Sequence, residues 1–132
     1  LLKNLFQEKK VEVDMELSEE IPLVKSDFNQ MKQVMLNLLQ NSLDATPAGG
    51  VIRVRSKSEA DLIEITISDN GTGISEDDPN VVFEPFYSTK VTGVGLGLAI
   101  VKKIIKDHNG SIRASNREGG GAEFTIRLPV PG

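Results

Sequence analysis

Five short segments of the chain carry apolar residues in the spacing of β-strands. From Val11 to Leu17 the apolar residues stand at every second position with acidic residues between them, and this alternation predicts a half-buried strand. Further strands are predicted at 51–57, 62–68, 112–115 and 123–128. A polar hairpin joins the first two of these four, and glycines supply the turn between the last two.

Two longer segments have the spacing of helices. Asp27 and Gln30 form a variant of the capping box, so we expect a long helix from this point to about Ala45. Residues 96–109 predict a second helix, in which the lysines of the last turn suit the helix dipole and Gly110 forms a left-handed cap.

The predicted elements define a fold class. Residues 1–10 have weak helical spacing and are interpreted as the tail of an upstream helical region, so the domain itself is predicted to span 11–132. About three helices and about five strands follow one another in an uneven order. This order predicts an α/β (α+β) sandwich, in which helices cover one face of a mixed sheet.

Amide side chains line one face of the first predicted helix. At about 100° per residue, seven polar side chains share a sector about 120° wide, and none is Lys, Arg or Glu. They are Asn29, Gln30, Gln33, Asn37, Gln40, Asn41 and Asp44. A solvated face usually carries Lys and Glu, whereas amide oxygens suit an enclosed polar ligand or Mg²⁺. Asn41 is the candidate magnesium ligand, and a solvated face is the alternative interpretation.

A strand-end carboxylate precedes the first pair of glycines. Asp69 directly follows an apolar strand, where it can accept a hydrogen bond from an exocyclic amine such as that of adenine. Gly71 and Gly73 would let the backbone turn sharply and approach a flat ligand. The alternative interpretation of this string is an Asx-turn with glycine at left-handed positions.

A second glycine-rich string opens the second helix. Gly93, Gly95 and Gly97 precede a helix start, where free N–H groups and the helix dipole form a phosphate site. A flexible hinge is the alternative. Residues 71–97 form a long acidic loop, and such loops are usually functional lids or poorly ordered segments. Lys90 is the only basic residue in it, so an anion bound there would depend on this side chain.

Composition excludes several classes of site. The 132 residues suit one domain, and the absence of cysteine excludes disulfides, thiolate metal sites and cysteine nucleophiles. A single histidine cannot form a histidine-rich metal site, and the net charge of −4 argues against nucleic acid as a partner. Because the chain has no membrane-length apolar run and no signal peptide, we expect a piece of a longer cytoplasmic protein.

Taken together, the motifs resemble those of one family. They are Asn37…Asn41, Asp69-x-Gly71-x-Gly73, Phe83-x-Pro85-Phe86 and Gly93-x-Gly95-x-Gly97. In this order they resemble the N, G1, F and G2 boxes of sensor histidine kinases, whose catalytic ATP-binding domain shares a superfamily with gyrase, Hsp90 and MutL. The resemblance covers about Val11 to Pro129, and the variants near Asn41 and Lys90 look most like the nitrogen-regulation branch. It implies a Bergerat-type ATP-binding fold.

The resemblance implies a role for each matching residue. Asn37, Asn41 and Lys90 would be catalytic, with Asn41 on Mg²⁺, Asn37 beside the phosphates and Lys90 near the terminal phosphate. Asp69 would bind the adenine amine. The other implied nucleotide contacts are Asp44, Gly71, Gly73, Ile74, Gly93, Gly95, Leu96, Gly97 and Leu98. Asp44 departs from the family pattern, since many relatives carry a basic residue there. Phe83 and Phe86 would pack the lid against the core or a partner domain.

Position 37 separates two chemistries of the superfamily. ATPase relatives carry there a Glu that activates water, whereas Asn37 cannot act as a base. The resemblance therefore implies transfer of the ATP γ-phosphoryl to a better nucleophile. This would be a histidine on a separate dimerisation domain, for relay to a response regulator receiver domain. The full-length protein would be a homodimer and this piece a monomer, while His108 is expected to have a surface or capping role.

Two other functions remain open from the residues. One is an ATPase or serine kinase of the same superfamily, and the other is a nucleotide-sensing module that binds ATP and transfers nothing. Segment 75–94 is expected to be mobile without nucleotide and more ordered with it.

Overall fold

A computed structural model describes five parts of the chain, residues 10–16, 28–59, 61–74, 78–84 and 97–129. The strands are β1 (Glu12–Glu16), β2 (Val51–Glu59), β3 (Leu62–Asp69), β4 (Ser111–Asn116) and β5 (Ala122–Pro129). The helices are α1 (Phe28–Ala45), α2 (Gly97–Asp107) and a short 3-10 helix (Pro79–Phe83).

The five strands form one mixed sheet with the order β1-β2-β3-β5-β4. β1 runs parallel to β2, and the other neighbouring strands are antiparallel. Alternate residues of the central strands, such as Ile63 and Ile67 of β3, are buried on one face. The predicted mixed five-stranded sheet is confirmed.

Both α-helices pack on the buried face of the sheet. α1 packs on β3, α2 packs on β4, and the two helices contact each other. Val34 and Leu38 of α1 and Val101 of α2 are fully buried, and they meet Phe124 of β5 in the core. Each such side chain contributes about 1.5–3 kcal/mol by leaving water, so the apolar stripes of the helices fix this layer.

The cap of α2 differs from the prediction. Asn109, with φ of 62°, is the residue in the left-handed conformation, so the assignment of that role to Gly110 was wrong. The Asn109 N–H donates to the Lys106 carbonyl and the Gly110 N–H donates to the Ile105 carbonyl, which is a Schellman motif. Asparagine tolerates this conformation because its short polar side chain interacts locally with the backbone.

The described parts contain two α-helices, and the third predicted helical segment, 1–10, lies almost wholly outside them. The long predicted loop holds the 3-10 helix, whose Val82 and Phe83 are buried. The loop prediction missed this turn because five residues beginning with Pro79 and Asn80 look like turn sequence. No helix in the described ranges is long and apolar enough to cross a membrane.

Candidate nucleotide site

Asp69 stands at the end of β3 with its side chain toward the helices. It shares the strand face of Ile63 and Ile67, and only 1% of it is exposed. Its Oδ1 accepts hydrogen bonds from the N–H groups of Gly71, at 2.9 Å, and Ala122, at 3.2 Å. Its Oδ2 is buried and has no partner among the described residues. Because buried carboxylate oxygens are nearly always paired, Oδ2 marks a position for an external donor.

The loop after Asp69 lies directly against the end of α1. The Thr72 N–H donates to the Ala45 carbonyl at 3.3 Å. A Cβ on Gly71 would stand 2.2 Å from that carbonyl oxygen, so only glycine fits here. Gly73 has φ of +76°, which a side chain would disfavour. Both glycines of the first pair therefore shape the loop around Asp69. The bond from the Gly71 N–H to Asp69 Oδ1 and the positive φ of Gly73 form the Asx-turn that the sequence offered as the alternative interpretation.

The last residue of β4 and the residue that follows it also hold this loop. Asn116 Oδ1 accepts from the Ile74 N–H at 2.7 Å, and Asn116 Nδ2 donates to the Ile74 carbonyl at 2.8 Å. Arg117 Nη1 donates to the Asp69 carbonyl at 2.9 Å. We call this pair, Asn116 and Arg117, the β4–β5 clamp. No local pattern around these two residues predicts the clamp, because its partners lie more than 40 positions away.

The amide face of α1 meets the start of α2. Asn37 Nδ2 donates to the Gly97 carbonyl at 3.3 Å, and both Asn37 and Asn41 are half-buried. Among the described residues, no atom lies within 4 Å of a Cβ built on Gly97. Leu98 packs against the core. The structure thus brings together the predicted amide helix and the last glycine of the second string.

Other predicted site residues lie apart from this contact or outside the described ranges. The carboxylate of Asp44 is exposed and accepts a hydrogen bond from Gln40 Nε2 at 3.1 Å. The residues of the prediction that lie outside the described ranges are Lys90, Gly93, Gly95 and Leu96, together with Phe86 and most of segment 75–94.

The described part of the predicted lid is packed into the core. Phe83 is 4% exposed, and its ring meets the ring of Phe124 edge-on with centroids 6.0 Å apart. Lys102 Nζ stands 5.8 Å from the Phe83 ring centroid. Asn80 Oδ1 accepts from the Ala114 N–H of strand β4 at 2.9 Å. The 3-10 helix is therefore fixed to the sheet edge and to α2.

Two further polar side chains complete the description. His108 Nδ1 stands 2.7 Å from the Ile104 carbonyl, so the ring caps the end of α2 as expected. Ser42 is fully buried, and its Oγ has no partner in the described residues. Ser42 is not among the site residues predicted from the sequence. The feature that could have identified it is a hydroxyl on the side of α1 that otherwise carries apolar residues such as Val34 and Leu38.

The comparison with known families decides the identity of the fold. Residues 26–132 match the family of histidine kinase-, DNA gyrase B- and HSP90-like ATPases. The chain belongs to this family. It is an ATP-binding domain homologous to the catalytic domains of sensor histidine kinases.

Curated relatives and solved structures agree with this assignment. Sporulation kinase E of Bacillus subtilis is 41% identical over 91% of the chain, and sensor histidine kinase ZraS of Salmonella typhimurium is 39% identical over 94%. The chain spans 16% and 27% of the length of these proteins. The catalytic domain of histidine kinase ThkA superposes with a TM-score of 0.87 at 33% identity, covering 97% of this chain and 84% of that domain.

A second structure of ThkA shows it with a partner. In that structure histidine kinase ThkA is in complex with the response regulator protein TrrA. It matches with a TM-score of 0.84 at 30% identity, over 98% of this chain and 37% of ThkA. The predicted resemblance to the histidine kinase family is confirmed.

Proposed function

We propose that this domain binds ATP with Mg²⁺ between α1, the loop after β3 and the start of α2, and transfers the γ-phosphoryl to a histidine on a separate dimerisation domain. The observation that carries this proposal is Asp69, whose buried Oδ2 has no partner among the described residues. The family to which the chain belongs binds ATP. The strand-end carboxylate with an unpaired oxygen supports the same ligand, because adenine carries an amine that can donate to it.

The adenine end of the site has the chemistry that the base needs. Asp69 Oδ1 is already held by the N–H groups of Gly71 and Ala122, so the carboxylate cannot turn away. Its Oδ2 is left to accept a hydrogen bond from the exocyclic 6-amino group of adenine. Guanine presents an oxygen at that position, which the carboxylate would repel. The site therefore favours ATP over GTP.

The phosphate end combines amide oxygens with a helix start. Gly97 begins α2, and Asn37 holds its carbonyl, so the N-terminal end of this helix dipole stands beside the amide face. The described residues contain no group of three His, Cys, Asp or Glu side chains that could hold a metal. An arrangement with one amide ligand, Asn41, suits Mg²⁺, which takes most of its ligands from phosphates and water and would neutralise their charge. Lys90 would add a positive charge near the γ-phosphate.

The residue at position 37 favours transfer over hydrolysis. An amide cannot remove a proton from water, and the Asn37 Nδ2 group is already engaged with the Gly97 carbonyl. The attacking group is then a neutral imidazole nitrogen of the partner histidine. It forms a bond to the γ-phosphorus, the bond between that phosphorus and the β–γ bridging oxygen breaks, and ADP leaves with the electron pair. The domain contributes position and charge stabilisation.

The phosphohistidine would pass its phosphoryl group to a response regulator receiver domain. In support of this partner, the related histidine kinase ThkA has been solved in complex with the response regulator protein TrrA. We propose that the parent protein acts as a homodimer, that this domain alone is a monomer, and that the reaction takes place in the cytoplasm, where ATP is abundant. Nucleic acid has no part in this scheme.

The test is a transfer assay with the acceptor supplied in trans. The domain is mixed with a histidine-bearing dimerisation domain and ATP labelled at the γ-phosphoryl. We expect label on the dimerisation domain that is lost in acid and kept in alkali, which identifies phosphohistidine. The domain incubated alone should acquire no stable label, because its single histidine caps a helix.

Asn41→Ala is the matched control for this assay. We expect this variant to fold but to lose most Mg²⁺-dependent ATP binding and most transfer. An acid-stable label on a serine substrate would instead identify a serine kinase, and rapid release of phosphate without acceptor would identify an ATPase. Tight ATP binding with no labelled partner under any condition would favour a nucleotide-sensing module.

A further inference from the structure

Two buried side-chain oxygens of the described residues lack a hydrogen-bond partner, one on α1 and one on β3, and these two elements pack against each other. One is Asp69 Oδ2 and the other is Ser42 Oγ. Ser42 is 0% exposed and Asp69 is 1% exposed. A serine inside a helix commonly donates to the carbonyl four residues earlier, and the hydroxyl of Ser42 does not do so.

Ser42 lies on the buried side of α1, the helix that packs on β3. It stands in the α1 stripe of fully buried residues that includes Val34, Leu38 and Thr46. Ala45, less than one turn further on, accepts the hydrogen bond of Thr72 in the loop that follows Asp69. The Asp69 side chain points from β3 toward the same helix layer. The free hydroxyl therefore belongs to the last turn of the helix that meets the loop after Asp69, and the free carboxylate oxygen belongs to the strand that leads into that loop.

We infer that Ser42 is a second base-reading residue, which hydrogen-bonds the ring edge of adenine beside the amine bound by Asp69. This inference rests on the proposed ATP-binding function. In adenine the 6-amino group lies between two acceptor nitrogens, N1 and N7. A carboxylate that accepts from the amine and a hydroxyl that donates to one of these nitrogens match the donor and acceptor pattern of that edge.

The energetics of the empty site support a ligand role. A buried hydroxyl without a partner destabilises the folded chain, and alanine is the better helix former. Ser42→Ala should therefore raise the urea midpoint of the nucleotide-free domain while weakening ATP binding. If Ser42 served only the fold, its replacement by Ala would lower both the urea midpoint and the ATP affinity. A higher urea midpoint together with a lower ATP affinity therefore distinguishes a ligand role from a structural one.

The decisive experiment combines the variant with modified nucleotides. ATP, 1-deaza-ATP and 7-deaza-ATP are titrated into wild type and Ser42→Ala by calorimetry in the presence of Mg²⁺. We expect Ser42→Ala to weaken ATP about 3- to 10-fold, the loss typical of one neutral hydrogen bond. One of the two deaza nucleotides should bind both proteins equally, because it lacks the nitrogen that the hydroxyl would contact.

Thr46→Val provides the matched control. Thr46 is equally buried on the same stripe, but its hydroxyl already donates to the Ser42 carbonyl at 2.7 Å. This variant should lower the urea midpoint and leave the ranking of the three nucleotides unchanged. The inference is overturned if Ser42→Ala weakens all three nucleotides by the same factor or weakens none. If ATP binding responds to Asp69→Asn but not to Ser42→Ala, only this inference fails. If wild type binds no ATP, the proposed function fails with it.

Discussion

At the residue scale, the two oxygens of Asp69 have separate tasks. Oδ1 fixes the loop by accepting from two backbone N–H groups, and Oδ2 is left without a partner. An asparagine at this position can keep the first oxygen in place and present an amide nitrogen at the second. The substitution Asp69→Asn is therefore a test of recognition with little disturbance of the fold.

We expect Asp69→Asn to weaken ATP binding by about 1–3 kcal/mol, because two donors would face each other in a buried position. Calorimetry with ATP and inosine triphosphate measures the effect. Inosine triphosphate carries an oxygen where adenine has its amine, so it should lose less affinity than ATP in the variant. Equal ATP affinity in wild type and variant would show that Asp69 does not contact the base.

At the element scale, the β4–β5 clamp positions the loop that carries the adenine contacts. Replacing Asn116 by Ala removes both hydrogen bonds to Ile74. Because Asn116 is exposed, we expect a loss of only about 1 kcal/mol in unfolding free energy, together with faster hydrogen exchange at the Ile74 amide. ATP affinity should fall with it. Ser111→Ala, an exposed residue at the other end of β4, is the control and should change neither quantity.

The 3-10 helix gives a second prediction at this scale. Phe83 lies against Phe124 in the core, so Phe83→Ala should lower the unfolding free energy of the nucleotide-free domain by about 3–5 kcal/mol. Urea denaturation without nucleotide measures the change, and Val81→Ala, half-buried on the same helix, should have a smaller effect. A stability that changed only in the presence of ATP would instead assign Phe83 to a lid.

The elements were predictable from the sequence, and the contacts between them were not. Apolar periodicity located all five strands and both described α-helices, because a half-buried strand and an amphipathic helix each impose a repeat on neighbouring residues. The glycines at 71 and 73 predicted a tight loop, because the conformational freedom of glycine is a property of those positions alone. Arg117 contacts Asp69 from 48 positions away, and nothing in the residues around it marks that partner. Ser42 was missed because a single hydroxyl does not disturb an apolar stripe.

At the scale of the whole molecule, the two faces of the sheet contribute to stability in different ways. The helix-covered face is apolar except for Asp69 at the end of β3, whereas Glu64 on the other face pairs with Arg127, at 2.9 Å, and with Lys57, at 3.6 Å. The hydrogen bond from Arg127, with the positive charge of Lys57, holds the pKa of Glu64 below its ordinary value of 4.5. Folding therefore favours the ionised carboxylate, and stability becomes linked to pH.

The sign of this linkage gives the last prediction. The pKa of Glu64 is lower in the folded chain than in the unfolded chain, so its contribution is fully present above pH 4.5 and is lost as the pH falls through the folded value. Urea midpoints measured between pH 7 and 3 should therefore fall less steeply on the acid side in Glu64→Gln than in wild type. Glu123→Gln is the control, because it removes another negative charge from the same face of the sheet as Arg127 and leaves the two ion pairs of Glu64 in place. Because Glu64 lies on the face of the sheet opposite the helices, ATP affinity at neutral pH should be the same in all three proteins. A lower ATP affinity in Glu64→Gln would mean that the outer face of the sheet supports the nucleotide site.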